Sequence, residues 1–538
     1  MKLYTKIILA GSLLLLSGCA KEKQGISKPE TKAWDTSLSK NVGIHDPSIF
    51  VDDKDGDKTY YVFGTHISQA KSDDLSSWSI PKRSNGYVNM ADNVIYGDTQ
   101  KNLEETFQWA GFNDADSANG YNLWAPDVIY NENFKWADGT TGAYLYYYSA
   151  SSTWRRSAIG LMASTDVEGP YTYVDTILYS GFSKVDSTDG SERNINYVNT
   201  HIDELINDKT IEGFNEKWVR KAGKEYNTDY APNALDPTVF RTKEGKLQLV
   251  YGSWSGGIYL LDLDEATGTP IYPGKDGKTE DGRVIDRYFG TKLAGGFHKS
   301  GEGSYITYSE ESDSYYLYLT YGGLAADGGY NMRVFKSKDV AGPYVDAKGN
   351  RPLFTQADNN DNYGVKVMGN YRLDGMGKGY KASGHNSILL EDGKSYNIFH
   401  TRFENHGENF ELKVHPMLMS ANGWMLTLPY EFNSALPEAQ ALKSNEHIGT
   451  YEMINHKTNT SGNMGVNQEL VFAADGSVSG DVNGTYTIND KGQVQMVLGD
   501  VTYEGIITTQ QVNKTTDKVV LSFVGDNNET IYASKGRN

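Results

Sequence analysis

Of 538 residues, only one is a cysteine, Cys19, so no internal disulfide can staple the chain and no cysteine-based zinc site can form. Positive charge is short as well. The 51 Lys and Arg face 69 Asp and Glu, a formal net charge of −18, which leaves little to displace counterions from a nucleic-acid backbone. The uncharged run from Ile7 to Ala20 has 14 residues, fewer than the ~20 that cross a bilayer as a helix. Charged residues make up 22% and apolar residues 38%, which excludes a disordered polyelectrolyte and leaves enough apolar surface for a core. What is abundant points one way. The 38 Tyr, 18 Phe, 9 Trp and 57 Gly favour short strands and tight turns over helices.

The first residues read as an address. Lys2 and Lys6 precede the apolar run, as in a secretory signal, and Leu16-Ser17-Gly18-Cys19 resembles the bacterial lipoprotein box, in which the cysteine is lipidated and becomes the mature N-terminus. Residues 1–18 are therefore expected to be a lipoprotein signal peptide. Residues 19–35, polar and carrying Lys21, Glu22, Lys23 and Lys28, are expected to be a flexible tether. This puts the fold outside the cytoplasm, at the cell surface or outer membrane, where ATP-type cosubstrates are scarce.

From there the chain repeats. Five segments share an opening motif: Asp46-Pro47-Ser48-Ile49, Ala125-Pro126-Asp127-Val128, Asp236-Pro237-Thr238-Val239, Glu302-Gly303-Ser304-Tyr305 and His385-Asn386-Ser387-Ile388. Each leads through a turn such as Asp138-Gly139 or Asp392-Gly393 into an aromatic strand, such as Tyr144-Leu145-Tyr146-Tyr147-Tyr148 or Tyr315-Tyr316-Leu317-Tyr318-Leu319. A meander of about four strands cannot bury both faces alone; five of them closing a ring make a five-bladed β-propeller over residues 36–435. The motif intervals are 79, 111, 66 and 83 residues, so the largest insertion falls between the second and third repeats. Ile202, Leu205, Ile206 and Trp218 suggest short amphipathic helices there, forming a wall near the site. Residues 444–538 read as a second, small all-β domain, a barrel or sandwich without candidate chemistry.

The innermost strands of a propeller line its axis, so equivalent positions converge. The first motif positions are Asp46, Ala125, Asp236, Glu302 and His385. Asp-Pro alone is a common turn dipeptide. Three carboxyls and an imidazole in one space are costly, because like charges raise each other's pKa, and folds tolerate this mainly at functional sites. A carboxyl pair is the equipment of glycoside hydrolysis: one acid protonates the leaving oxygen, and the other carboxylate activates water or attacks the sugar. Across a channel, Asp46 and Glu302 are expected at the wider spacing, about 6.5–9.5 Å, that goes with inversion. Asp52, Asp53, Asp55 and Asp57 resemble a calcium loop but lack its glycine and closing glutamate spacing, and read as a hairpin turn. Trp78 and Trp424 read as packing residues.

These stretches, together with Leu123-Trp124-Ala125-Pro126-Asp127, Asn233-Ala234-Leu235-Asp236-Pro237, Tyr251-Gly252-Ser253-Trp254 and His400-Thr401-Arg402-Phe403, resemble glycoside hydrolase family 43, specifically its two-domain extracellular endo-α-1,5-L-arabinanases. The resemblance runs from about Asn41 to Pro429. It implies inverting hydrolysis of arabinan, with Asp46 as general base, Glu302 as general acid and Asp236 modulating that acid. It also implies substrate contacts at Asp46, Trp124, Asn233, Asp236, Ser253 and Trp254, and a calcium ion, mostly water-coordinated, at His385. Calcium prefers oxygen, so His385 on residue type alone would read as structural. The implied molecule is a monomer that takes arabinan polysaccharide or oligosaccharide, reaches a membrane only through lipid on Cys19, and binds no nucleic acid. Trp154-Arg155, and Trp254 followed by Ser255-Gly256-Gly257, depart from the family pattern near the cleft. An exo-acting α-L-arabinofuranosidase or β-xylosidase is therefore the alternative. A non-catalytic surface glycan-binding protein is the alternative from another class, although pure binding has no need of three acids together.

Overall fold

The computed structural model describes residues 34–35, 37–53, 56–81, 97–433, 445–513 and 515–536. The signal peptide, Cys19 and the tether as far as residue 33 lie outside them. The expected tether end at residue 35 needs correction. Trp34 is 9% exposed, stacks edge-on against Tyr61 and lies under the Lys71 ammonium, while Asp35 N–H donates to Ile80 O at 2.8 Å. An indole with that much apolar surface is drawn into the fold rather than left on a tether.

Five antiparallel meanders follow. Their first strands are β1 (Ser48–Asp52), β2 (Trp124–Lys135), β3 (Thr238–Arg241), β4 (Glu302–Ser309) and β5 (Tyr380–Glu391). Each lies beside the next around the axis, and β5 returns to β1, so the ring is closed as five blades. The hairpin after β1, where the acidic run falls, pairs Asp52 with Thr59.

The tyrosine-rich second strands explain how the blades stick together. Along Thr141–Ala150 every residue from Gly142 on is buried. Side chains alternate across a strand, so Tyr144, Tyr146 and Tyr148 pack with Phe63 and Tyr171 between the first two blades, while Leu145 and Tyr147 pack with Leu249 and Leu261 toward the third. Ser314–Tyr321 does the same: Tyr316 and Tyr318 face one interblade core, Tyr315 and Leu317 the other. Burial on both faces needs a near-continuous apolar or aromatic run, which these segments have.

The insertion supplies a short helix, Ile202–Asn207, and a 3-10 turn, Glu216–Trp218, with Ile202 and Trp218 buried in the core between the second and third blades. Arg156, buried after the second strand of blade two, pairs with Asp189 and donates to Trp109 O, tying the insertion down on the same end as the acids.

Residues from Gly449–Asn455 to Thr530–Lys535 form a closed eight-stranded barrel whose first and last strands pair. It shares a core with the propeller: Ile454, Ile506, Val520 and Tyr532 pack with Met332, Tyr371 and Phe399. Its 456–465 loop sits against blade four, where Lys366 Nζ donates to His456 O at 3.0 Å and Asn459 O at 2.7 Å.

Candidate active site

The axis residues are delivered by a local device that composition does not reveal. Asp46, Ala125, Asp236 and His385 all have left-handed backbones, with φ of 53°, 38°, 55° and 48°, and Glu302 is followed by Gly303 at φ 60°. Pairing slips at the same places, between Trp124 and Asp127, Glu302 and Tyr305, and Gly384 and Ser387. A bulge re-aims a side chain, and here the repeated kink turns each first-position side chain toward the axis. Non-glycine residues at positive φ are strained, and such strain gathers at functional sites.

Asp46 is 6% exposed and heavily engaged. Its Oδ1 lies 2.8 Å from His45 Nδ1 and 3.0 Å from His385 Nδ1, and its Oδ2 accepts from Thr65 Oγ1 at 2.5 Å. Burial alone would raise its pKa; the His385 and His45 imidazoles outweigh burial and hold the carboxyl well below the usual range. The Asp46 carboxyl therefore favours its ionised form.

Asp236, 8% exposed, accepts from Gly303 N–H at 3.0 Å. Burial pushes its carboxyl up to about 7, against the pull of His385 and with the push of Glu302 and Asp46. His385 moves the other way. Burial lowers it, but Asp46 above all, with Asp236 and Glu302, raises it to about 9. All three acids thus act on one imidazole, as the repeat demanded. Ala125, the fifth ring member, donates its N–H to Thr65 Oγ1 at 2.9 Å, completing a link from blade two to Asp46.

Glu302 is held on both oxygens. Oε2 accepts from Trp254 Nε1 at 2.9 Å and Ser253 Oγ at 3.2 Å; Oε1 accepts from Tyr330 Oη at 2.7 Å. Ser253 and Trp254, expected at the substrate, are thus first of all partners of Glu302. Asn233 is buried, its Oδ1 accepting from Ser180 Oγ at 3.1 Å. Trp124 is half-buried beside Ala125, its Nε1 donating to Asp116 O at 2.8 Å and its ring edge-on to His66 at 4.6 Å. Composition and motif reading missed Thr65, His45, His400 and Tyr330 as site residues. His45 precedes Asp46 in the chain and His400 lies in a stretch that carries the family resemblance, so both had a usable signal; Thr65 and Tyr330 carry none.

Among the described residues, His45, Asp46 and His400 gather closely enough to hold a cation. Two of the nitrogens already face Asp46, however: His400 Nδ1 accepts from its N–H at 3.2 Å and His45 Nδ1 lies 2.8 Å from its Oδ1, while His400 Nε2 is buried without a hydrogen-bond partner. His385 is the better candidate. Its Nδ1 faces Asp46, which leaves Nε2, and the surrounding carboxylates offer acceptors to a cation's hydration shell.

One layer down, Asp127 joins three blades. Ser48 Oγ donates to its Oδ1, and Val239 N–H donates to its Oδ2 at 2.7 Å. Burial pushes this carboxyl up to about 7, with the hydrogen bonds from Ser48, Val239 and Val128 offsetting it only in part.

A closed propeller whose axis collects one low-pKa carboxylate, one neutral-leaning carboxyl and a triply held glutamate has the acid and base inventory of a glycoside hydrolase. Residues 205–425 match the family model described as glycosyl hydrolases family 43, and residues 429–533 match a C-terminal lipocalin-like domain of the same group. The extracellular endo-α-(1→5)-L-arabinanase 2 of Bacillus subtilis is 33% identical over 513 residues, covering 93% of this chain and 94% of that protein. The extracellular endo-α-(1→5)-L-arabinanase of Thermotoga petrophila is 35% identical over 483 residues, covering 87% and 88%. A crystal structure of endo-1,5-α-L-arabinanase from T. petrophila superposes with a TM-score of 0.72 at 33% identity, over 92% of this chain and 99% of that one. The chain belongs to glycosyl hydrolases family 43.

Proposed function

We propose that this protein is an inverting, endo-acting hydrolase of the α-1,5-L-arabinofuranosidic bonds of arabinan. The observation that carries the reading is the convergence on the axis: Asp46 lies 2.8 and 3.0 Å from two imidazoles, Asp236 accepts from Gly303 N–H, and Glu302 is held by Trp254, Ser253 and Tyr330. In this reading Asp46 takes a proton from water as that water adds to the anomeric carbon. Glu302 gives its proton to the departing glycosidic oxygen. Asp236, buried and anchored by Gly303 N–H, modulates Glu302, strengthening its hold on the proton when ionised, and orients the sugar. Trp124 offers a half-exposed face for a furanose ring. The endo assignment draws on the printed names of the relatives at 33–35% identity.

The donor set at His385 suits a largely hydrated calcium ion, with Nε2 as the protein ligand. Such an ion would supply positive charge that favours the ionised form of Asp46, the carboxylate against His385. The same relatives are named extracellular; with Leu16-Ser17-Gly18-Cys19 this supports secretion followed by lipid anchoring at the cell surface.

One observation favours the exo-acting alternative. The Arg155 guanidinium, after the second strand of blade two, lies 3.3 Å from Ser255 Oγ and 3.2 Å from His298 Nδ1, next to Trp254, a position from which it would restrict a chain of sugars beyond Glu302. Product analysis on linear arabinan, debranched arabinan and xylan separates the readings. Mixed oligomers at early times are expected; monomer alone would establish exo action, and no turnover of any of the three would remove the hydrolase assignment. Proton NMR of the first product should show the inverted β-anomer.

A further inference from the structure

Tyr330 enters no motif, lies in the glycine-rich segment Gly322–Tyr330 and carries the one protein hydroxyl on Glu302 Oε1 among the described residues. We propose that Tyr330 is a positioning residue that fixes the transferable proton of Glu302 on Oε1, the oxygen that hands it to the glycosidic oxygen. This rests on the reading of Glu302 as general acid.

The argument is one of donor inventory. Indole N–H can only donate. With Trp254 Nε1 at 2.9 Å and Ser253 Oγ at 3.2 Å both directed at Oε2, that oxygen is the carbonyl-like acceptor of the acid form. The O–H must then lie on Oε1. The partner there is a phenol, which can donate or accept. Tyr330 therefore serves both states: it accepts from the protonated acid before reaction and donates to the carboxylate afterwards. Burial, with Glu302 and Asp46 nearby, keeps the phenol itself from ionising, so it never competes as the acid.

The ring is built into place. Tyr330 is 2% exposed. It covers Gly384, where a Cβ would come within 2.3 Å of its Cδ1, and it stacks on His400 at 5.8 Å and 30°. On its other side Gly329 packs against Ser461 of the barrel, and Gly462 against the Asp327 carbonyl, both too tightly for a Cβ. The hydroxyl thus has one place to be. In the step, the Oε1–H bond breaks and its proton goes to the glycosidic oxygen as the bond from that oxygen to the anomeric carbon breaks. Water adds to that carbon and loses a proton to Asp46. The Tyr330 O–H then turns to donate to Oε1.

Tyr330→Phe retains the ring packing and removes only the hydroxyl. Its test is leaving-group dependence, which a merely structural role would not move. With linear arabinan, whose sugar leaving group needs full protonation, kcat should fall about 10- to 100-fold with KM little changed. With the 2,4-dinitrophenyl glycoside of α-1,5-arabinobiose, whose leaving group needs no proton, the loss should shrink to within about threefold. Equal losses on both substrates, or no loss on arabinan, would overturn the proposal. Glu302→Gln run beside it tests the underlying reading separately: if it too loses equally on both substrates, the acid assignment fails whatever Tyr330 does. Equal unfolding midpoints of Tyr330→Phe and the parent enzyme keep the comparison free of folding effects.

Discussion

Replacing Asp127 by Asn should make the propeller more stable in mild alkali while leaving it nearly unchanged in acid. The carboxyl is 4% exposed, has no cationic partner among the described residues and titrates near 7 in the fold, against ~3.9 for an unfolded aspartate. A raised folded pKa means that the native state holds the proton more tightly than the unfolded chain. Stability is then complete below about pH 4, declines as pH rises toward 7, and levels off above it. Three units at about 1.4 kcal/mol each amount to about 4 kcal/mol as an upper bound. An asparagine can preserve both contacts, its carbonyl accepting from Val239 N–H and its amide donating to Ser48 Oγ, and it carries no charge at any pH. Guanidinium unfolding at pH 5 and pH 8, followed by tryptophan fluorescence, reads the effect. The variant should exceed the parent by about 1.5 kcal/mol at pH 5 and by up to about 4 kcal/mol at pH 8, so the gap should widen by about 2.5 kcal/mol between the two. Parallel pH dependence in the two proteins would refute the argument. Because Asp127 ties Ser48, two residues from Asp46, to Val239, three from Asp236, the parent should also lose active-site order first as the pH is raised.

Four further outcomes are expected. Glu302→Gln and Asp46→Asn should each lower kcat on arabinan by at least about 10²-fold while binding of arabinan, measured by calorimetry, persists; full turnover in either would remove that residue from its role. Gly303→Ala should lower kcat sharply in a folded protein, because a Cβ there would sit 2.9 Å from His385 Cγ at a φ of 60° and drive the imidazole off Asp46; parental rates would show that the His385–Asp46 contact is dispensable. EDTA should lower activity and calcium restore it, with the calcium needed rising about tenfold per pH unit below about 9, since the metal must displace the proton that Asp46 favours on His385; His385→Ala should be insensitive to both. Cys19→Ser should move the protein from the membrane fraction to the medium; unchanged membrane retention would refute lipid anchoring.

The chemistry at the axis was legible in the linear order because the fold is a repeat. Asp46, Asp236, Glu302 and His385 occupy equivalent motif positions, and rotational equivalence compels them to meet. The second strands were legible for a related reason: burial on both faces demands unbroken runs such as Tyr144–Tyr148, which no surface strand would carry. What only the tertiary structure decided is how each group is held. Ser253 and Trp254 face Glu302, a choice made by positive φ at Trp254 and by the bulge after Glu302, neither of which residue types encode. Thr65 and Tyr330 reach the site from beyond the second strands of the blades that carry Asp46 and Glu302, and His400 from the second strand of blade five. Their partners are up to 354 residues away, as for His400 and Asp46, and side-chain contacts at such separations are set by packing rather than by local pattern. The pKa order follows the same division. The presence of acids is written in the chain, whereas which of them keeps its proton depends on burial and on imidazoles, His45 beside Asp46 in the chain and His385 brought in by blade five.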